Sequence, residues 1–143
     1  MPLKQQKSIG FFISNTANLL NNTINKELYP YQIAIEQRAI LEIIKSKEVI
    51  KQSDLGNILA KDKTTISRTL KTLENKNYII KEKIDRKTFI IKLSSLGEEV
   101  LKKTKNIVDN FRKKILEEFD KEDISNLYKY LEKINKVVKE RKD

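Results

Sequence analysis

The sequence predicts a mainly α-helical protein with a small β wing, in which a winged helix-turn-helix lobe lies between long N- and C-terminal helices. Three observations predict this fold class. Residues 52–77 hold two amphipathic segments separated by about three residues, the spacing of a helix-turn-helix. Two strand patterns with a basic turn follow at once, over residues 78–93. Long stripes of apolar residues at helical spacing occupy both ends of the chain.

The N-terminal stripe predicts a helix over residues 8–28. The helix should end near Tyr29, because Pro30 disfavours helical geometry in the residue before it. Residues 29–34 then predict a short loop. A second helix, from residue 35 to about residue 45, carries apolar side chains around more than half its circumference. We expect it to be the central buried helix of the lobe.

The approach to the helix-turn-helix is a short strand followed by the first helix of the motif. Val49 and Ile50 predict a strand that pairs with the wing. The helix starts at Gln52 or Ser53 and extends to about Ala60. Both residues at its start are candidate DNA contacts. The apolar side chains that it is expected to bury are Leu55, Ile58 and Leu59.

Residues 62–77 predict the second helix of the motif, whose outer face is unusual in composition. Stepped at about 100° per residue, Ile66, Leu70 and Leu73 fall on one narrow face. Asp62 is predicted to cap the first turn. The opposite face interleaves short hydroxyls with basic groups, which suit the phosphates and base edges of DNA. The candidate recognition residues are Lys63, Thr64, Thr65, Ser67, Arg68, Lys71 and Thr72.

The wing is predicted from two strands, over residues 78–84 and 88–93. The turn between them is Asp85, Arg86 and Lys87, and these are the candidate wing contacts to DNA. A basic tip is attracted by the negative potential of a narrow minor groove. A helix-turn-helix followed by such a hairpin indicates a winged helix.

A long helix is predicted after the wing. Ser94 or Ser95 can cap it, and Ser95 with Glu98 has the spacing of a capping box. The helix should run to about Phe119, which gives it a length of about 36 Å at 1.5 Å per residue. It therefore reaches well beyond a small winged lobe.

A final helix starts at Asp120 or Asp123 and repeats apolar residues nearly as a heptad. The terminal helices carry more large apolar side chains than the lobe can cover, and burying each is worth roughly 1.5–3 kcal/mol. We therefore expect an obligate homodimer about a two-fold axis, the alternative being an intramolecular three-helix bundle. The predicted interface residues are Phe12, Leu19, Phe111, Ile115, Phe119, Leu127, Leu131 and Ile134.

The charge of the chain favours a polyanionic partner, since 30 Lys and Arg against 20 Asp and Glu give a net charge of +10 and a pI near 9.6. With no Cys and no His, thiol chemistry, the usual metal ligand and a Ser-His-Asp triad are excluded. We expect no cofactor and no metal. No apolar run approaches the length of a membrane span, and Met1 to Lys7 lacks the apolar core of a signal peptide. We expect a cytoplasmic protein.

Four stretches, in order and spacing, resemble the MarR family of transcriptional regulators. The first two are Ile35–Leu41 and Gln52–Ala60. The stronger two are Asp62–Arg68, which is similar to the family's D-x-S-T-V-(S/T)-R, and Leu93–Gly97, which is similar to its L-T-x-x-G after the wing. The resemblance covers nearly the whole chain.

The resemblance implies a single domain over residues 1–143, with dimerisation helices over 8–29 and 95–140 and a winged lobe over 33–93. It implies repression relieved by a small aromatic or anionic ligand between the dimerisation helices and the lobe. The two-fold dimer itself predicts an inverted-repeat DNA operator. The candidate ligand cleft is Asn15, Tyr29, Tyr31 and Arg38. The wing is several residues shorter than is common in the family, and Lys87 stands where the family favours Arg, which is not equivalent in a narrow groove.

Other functions are consistent with parts of the pattern. The main alternative is an effector-independent architectural or global DNA-binding protein of the same fold. A protein-interaction winged helix would need a flat, apolar or acidic recognition face, whereas this one is polar and basic. An enzyme would need a paired acidic site, a phosphate loop or a metal cluster in a recognisable motif, and none is present in the sequence.

Overall fold

The computed structural model describes residues 8–141, so the segment Met1–Lys7, for which no signal peptide is expected, lies outside them. Residues up to Ile107 form one compact unit and residues from Val108 onward form a second, with the boundary inside a helix. The organisation as one domain stays a prediction. The elements, in chain order, are α1 Ile9–Leu28, a short 3-10 helix Tyr29–Tyr31, α2 Ile35–Lys47, β1 Ile50–Lys51, α3 Gln52–Leu59, α4 Lys63–Asn75, β2 Ile79–Lys83, β3 Phe89–Leu93, α5 Ser95–Leu116 and α6 Lys121–Glu140.

This order confirms the predicted fold class, a mainly helical chain with a small β wing. Side-chain caps explain where several helices begin. Ser8 accepts from the Phe11 amide at 3.1 Å at the start of α1, and Asp120 accepts from the Asp123 amide at 2.8 Å at the start of α6. No helix within residues 8–141 is long and apolar enough to cross a membrane.

The α5 helix begins after one of its two predicted caps and ends earlier than predicted. Its cap is Ser94, whose hydroxyl accepts from the Gly97 amide at 3.0 Å, so the predicted capping box of Ser95 with Glu98 is wrong. The helix stops at Leu116 instead of Phe119. The amide of Phe119 bonds to the Leu116 carbonyl at 3.1 Å, which tightens the last turn before Asp120 becomes extended as the next cap.

Two other expectations about the unit that ends at Ile107 need correction. The predicted loop 29–34 contains the 3-10 helix, closed by a 3.0 Å bond from the Gln32 amide to the Tyr29 carbonyl. Of the three apolar residues expected in the core from α3, only Leu55 is buried; Ile58 is 51% exposed and Leu59 is half-buried. They occupy the last turn of an eight-residue helix, just before the chain turns away at Ala60.

The three strands form an antiparallel sheet in the order β1-β3-β2, which confirms that the strand before the helix-turn-helix pairs with the wing. Ile50 lies opposite Ile91, and Ile79 lies opposite Leu93. Ile50, Ile79 and Ile91 are buried on one face of the sheet. The α2 helix is the predicted buried helix, with Ile40, Leu41 and Ile44 in the core. Further core side chains of this unit are Ile24, Leu28, Ile33, Leu55, Ile66, Leu70, Leu73, Tyr78, Val100 and Leu101.

A close backbone contact joins the end of α4, the start of β2 and the start of α5. Asn77 adopts φ of 65° after α4, and the Tyr78 amide bonds back to the Leu73 carbonyl at 3.0 Å. The Tyr78 carbonyl accepts from the Ser94 amide at 3.1 Å. A Cβ atom on Gly97 would lie 2.1 Å from that same carbonyl oxygen, so only glycine fits there. The position of α4 is thereby tied to the wing and to α5.

Candidate nucleic-acid interface

The α4 helix presents its polar face because its apolar face is fully buried. Ile66, Leu70 and Leu73 are between 0% and 3% exposed, as the sequence predicts. The predicted recognition residues Lys63, Thr64, Thr65, Ser67, Arg68 and Lys71 are exposed, and Thr72 is half-buried. The Thr72 hydroxyl donates to the Arg68 carbonyl at 3.1 Å, so its proton is already used within the helix. The remaining members of the set form one continuous hydrogen-bonding and basic surface.

Asp62 caps α4 as predicted. Its carboxylate accepts from the Thr65 amide at 2.7 Å. Hydrogen bonds from Thr65 are the main reason that the pKa of Asp62 lies below its ordinary value, and the charge of Arg68 adds a smaller effect in the same direction. Asp62 is therefore a structural anchor for the first turn of α4, where the recognition residues begin.

The turn of the helix-turn-helix and the start of α3 form the next part of the surface. Ala60, with φ of 53°, ends α3, and three residues separate the two helices, as predicted. Ser53 is exposed at the start of α3. Gln52 is half-buried, and its Oε1 atom is buried without a hydrogen-bond partner. Lys51 precedes the helix and provides no side-chain cap.

The tip of the wing is a tight turn organised by Asp85. Its Oδ1 atom accepts from the Lys87 amide at 3.0 Å and from the Thr88 amide at 2.9 Å. The hydrogen bond from the Lys87 amide, followed by one from the Thr88 side chain, lowers the pKa of Asp85. Asp85 therefore shapes the turn, while Arg86 and Lys87 stand exposed at its end.

Positive charge is concentrated in the unit that carries these elements. Residues 108–143 contain 10 Lys and Arg against 9 Asp and Glu, a net charge of +1. The rest of the chain therefore carries +9 of the total +10. A polyanion is attracted to the unit with the helix-turn-helix and the wing rather than to the C-terminal unit.

The four residues of the predicted ligand cleft are not brought together. Tyr29 lines a cleft of about 660 Å³ together with Asn25, Gln37 and Lys76. Tyr31 lines a second cleft of about 300 Å³ beside α5, which shares Pro30, Gln32 and Lys76 with the first. Asn15 is exposed on α1 and is not part of the lining of either cleft.

Arg38, the fourth predicted cleft residue, is buried and links α2 to α5. It is 4% exposed, and its Nε donates to the Thr104 hydroxyl at 2.7 Å while its Nη2 donates to the Leu101 carbonyl at 3.0 Å. Its Nη1 atom pairs with Glu42 at 2.5 Å. This buried cation links the two helices, and it lies in the lining of neither cleft.

Sequence patterns missed two groups of basic residues near the interface. At the end of α4, the Lys76 ammonium donates to the Gln32 carbonyl at 3.0 Å and to Gln37 Oε1 at 3.1 Å, which ties α4 to the chain after the 3-10 helix. Nothing in the local sequence signals these long-range contacts. On β2, Lys81 and Lys83 flank the Phe89 ring. Two lysines at alternate positions of a strand share one face of it. The sequence does not show that this face also carries Phe89, because that depends on how β2 pairs with β3.

Comparison with known proteins agrees with this geometry. The sequence model of the MarR family matches residues 33–88. The chain is 27% identical over 135 residues to the HTH-type transcriptional regulator BilQ of Clostridioides difficile (strain CD3), a match that covers 93% of this chain and 91% of that protein. Residues 33–88, which the family model matches, include the helix-turn-helix and most of the wing.

Two solved structures share the fold over nearly their whole length. A MarR/EmrR family transcriptional regulator from Acinetobacter sp. ADP1 superposes with a TM-score of 0.86 at 25% identity, covering 97% of this chain and 100% of the other. The MepR protein of S. aureus, solved as a DNA complex, superposes with a TM-score of 0.83 at 18% identity, covering 92% of this chain and 98% of that one. The winged arrangement is thus common to all three chains.

The Asp62 cap makes the stability of the protein depend on pH. Because folding lowers the pKa of Asp62, the unfolded state binds the proton more readily, and the cap stabilises the fold above the unfolded pKa and is lost as pH falls through the folded pKa. Thermal melts should show that Asp62→Ala has a lower melting temperature than wild type at pH 7. The gap between the two melting temperatures should become smaller below pH ~4, where the carboxylate is protonated. Asp62→Asn keeps an acceptor without the charge, so its difference from wild type should be smaller at pH 7. A wild-type-like melt of Asp62→Ala at pH 7 would contradict the capping role.

Proposed function

We propose that this chain, which belongs to the MarR family of transcriptional regulators, binds a specific DNA operator by placing α4 in the major groove and the wing over the flanking minor groove. The observation that carries the proposal is the exposed basic and hydroxyl face of α4, held outward by three buried apolar side chains. The concentration of positive charge in the same unit supports it, since phosphate contacts supply much of the affinity for DNA.

Arg68 is the residue that we expect to read a base. A guanidinium can donate two parallel hydrogen bonds to guanine, which makes it the most specific cation on this surface. Thr64 and Ser67 can donate through their exposed hydroxyls to phosphates or base edges. Thr65 is a weaker candidate, because its side chain donates to the Asp62 carboxylate. Thr72 is a weaker candidate because its proton is bonded to the Arg68 carbonyl. Lys63 and Lys71 serve as phosphate contacts, since an ammonium acts as a point charge.

The functional form is a homodimer that reads an inverted repeat. On α1, Ile9, Phe12 and Leu19 are 65%, 55% and 66% exposed in the isolated chain. The α6 helix has no buried residue, and Leu127 and Leu131 are 50% and 37% exposed. Such apolar faces favour a second copy of the chain over an intramolecular bundle. The other predicted interface residues are half-buried or exposed: Phe111, Ile115, Phe119 and Ile134.

A two-fold dimer sets the spacing of its targets. Its two α4 helices would contact half-sites separated by about 34 Å, one turn of DNA. A folded monomer at micromolar concentration in sedimentation would contradict the dimer.

Repression relieved by a small aromatic or anionic ligand is the regulatory form that we favour. The cleft beside Tyr29 offers an aromatic ring and the Lys76 ammonium, which suit a small aromatic carboxylate. Because a ligand that binds only the native state raises its stability, salicylate should raise the melting temperature, and Lys76→Met should abolish that rise. An unchanged melting temperature at millimolar salicylate would favour the effector-independent architectural protein instead.

Substitutions of Arg68, which is expected to read a base, and of Arg86, at the tip of the wing, should impair DNA binding in different ways. Arg68→Ala should cost about 1–3 kcal/mol of binding free energy and blur the preference for one base pair, because the bidentate contact is lost. Arg86→Ala should weaken binding to all sequences alike and reduce the slope of log K against log salt by about 0.9. Fluorescence anisotropy with single-base operator variants at several salt concentrations measures both effects. If both variants bound like wild type, the assignment of this surface would be wrong.

A further inference from the structure

The wing has one face that carries two lysines around an aromatic ring. In the antiparallel register Lys83 lies opposite Phe89 and Lys81 lies opposite Ile91. The Lys81 ammonium is 4.3 Å from the centroid of the Phe89 ring, and the Lys83 ammonium is 5.8 Å from it. Both are within the range of cation–π attraction. The ring therefore holds two flexible cations above one patch of the strand pair.

The charges on this face are not neutralised by neighbouring carboxylates. Glu82 points to the opposite face, where it pairs with Lys92 at 3.3 Å. Asp85 accepts from two backbone amides in the turn. Within residues 8–141, neither Lys81 nor Lys83 has a carboxylate oxygen within 4 Å of its ammonium. One face of the wing is thus doubly positive, and the other carries a neutral pair.

The doubly positive face is directed to the side of the sheet that carries the helix-turn-helix. Side chains alternate between the two faces of a strand, so Lys81, Lys83 and Phe89 share a face with the buried Ile79 and Ile91. The helices α2 and α3 contact β3, and α4 contacts β2. The two lysines therefore lie on the helix side of the wing, between the buried Ile79 and the turn at its tip.

We propose that Lys81 and Lys83, organised by Phe89, form a second phosphate-binding surface on the strands of the wing, in addition to the tip. The inference rests on the proposed binding to DNA and specifies how the wing contributes to it. The turn between the paired strands spans only residues 84–88, so the tip has a short reach. Phosphate contacts along the strands compensate for that short reach. They add affinity for any sequence, because an ammonium binds phosphate as a point charge.

The double variant Lys81→Met with Lys83→Met tests this surface, and Lys92→Met is the matched control. Methionine retains the unbranched apolar stem over Phe89 but removes the charge, and the control removes one lysine from the opposite face of the same wing. Each protein is titrated by anisotropy against a duplex from the intergenic region upstream of its own gene and against a scrambled duplex, at several salt concentrations. The double variant should reduce the slope of log K against log salt by about 1.8, on both duplexes. The ratio of the two affinities should stay as in wild type, and Lys92→Met should leave the slope nearly unchanged.

Phe89→Leu separates the positioning role of the ring from the charges. Leucine keeps an apolar side chain against the lysine stems but has no ring face, so the slope should fall by less than in the double variant while the melting temperature stays close to wild type. A wild-type slope for a folded double variant, with the wild type still preferring the intergenic duplex, would overturn the inference alone. Equal wild-type affinity for both duplexes would instead overturn the proposed sequence-specific function.

Discussion

The burial of Ile66, Leu70 and Leu73 is the constraint on which the candidate interface depends. These three side chains leave α4 one orientation on the lobe, and that orientation turns every recognition residue outward. Burying them is worth roughly 1.5–3 kcal/mol each, far more than any single exposed contact on the opposite face. The polar face can therefore vary in sequence to suit different DNA targets without loss of the fold.

The end of α4 is fixed as firmly as its orientation. The Tyr78 carbonyl accepts from the Ser94 amide and leaves no room for a side chain on Gly97, so α4, the wing and α5 meet at one backbone junction. Lys76 adds a link from α4 to the Gln32 carbonyl. The α5 helix also binds the buried Arg38 through Thr104 and Leu101, so hydrogen bonds join it to α2 as well.

Local patterns predicted most of the fold, and long-range contacts account for what they missed. The cap at Asp62 and the apolar face of α4 follow from spacing alone, and the structure has both. Ser94 and Ser95 are equivalent as caps until the contact of Tyr78 with this turn selects Ser94. Arg38 is a candidate cleft residue in the sequence, where it is equally well explained as a surface or interface residue. Its partner Thr104 is 66 residues away, so no local pattern could reveal that it is buried.

In the candidate interface too, local patterns predict some residues, and long-range pairing decides others. The turn residues Arg86 and Lys87 stand at the tip of the wing as expected, because a short basic turn between two strands has few alternatives. The patch around Phe89 depends on which residue of β3 faces which residue of β2, and a shift of one residue would separate the ring from both lysines. Register, more than composition, thus decides which charges of the wing act together.

In the proposed function, two copies of this chain bind one DNA site in a sequence-specific manner. The most direct measurement is a titration of the purified protein against the intergenic duplex upstream of its own gene and against a scrambled duplex, with the stoichiometry determined by sedimentation. We predict two chains per duplex and at least ~10³-fold tighter binding to the intergenic duplex. Weak binding that is equal on both duplexes and falls steeply with salt would contradict it, since only the attraction between opposite charges would then remain.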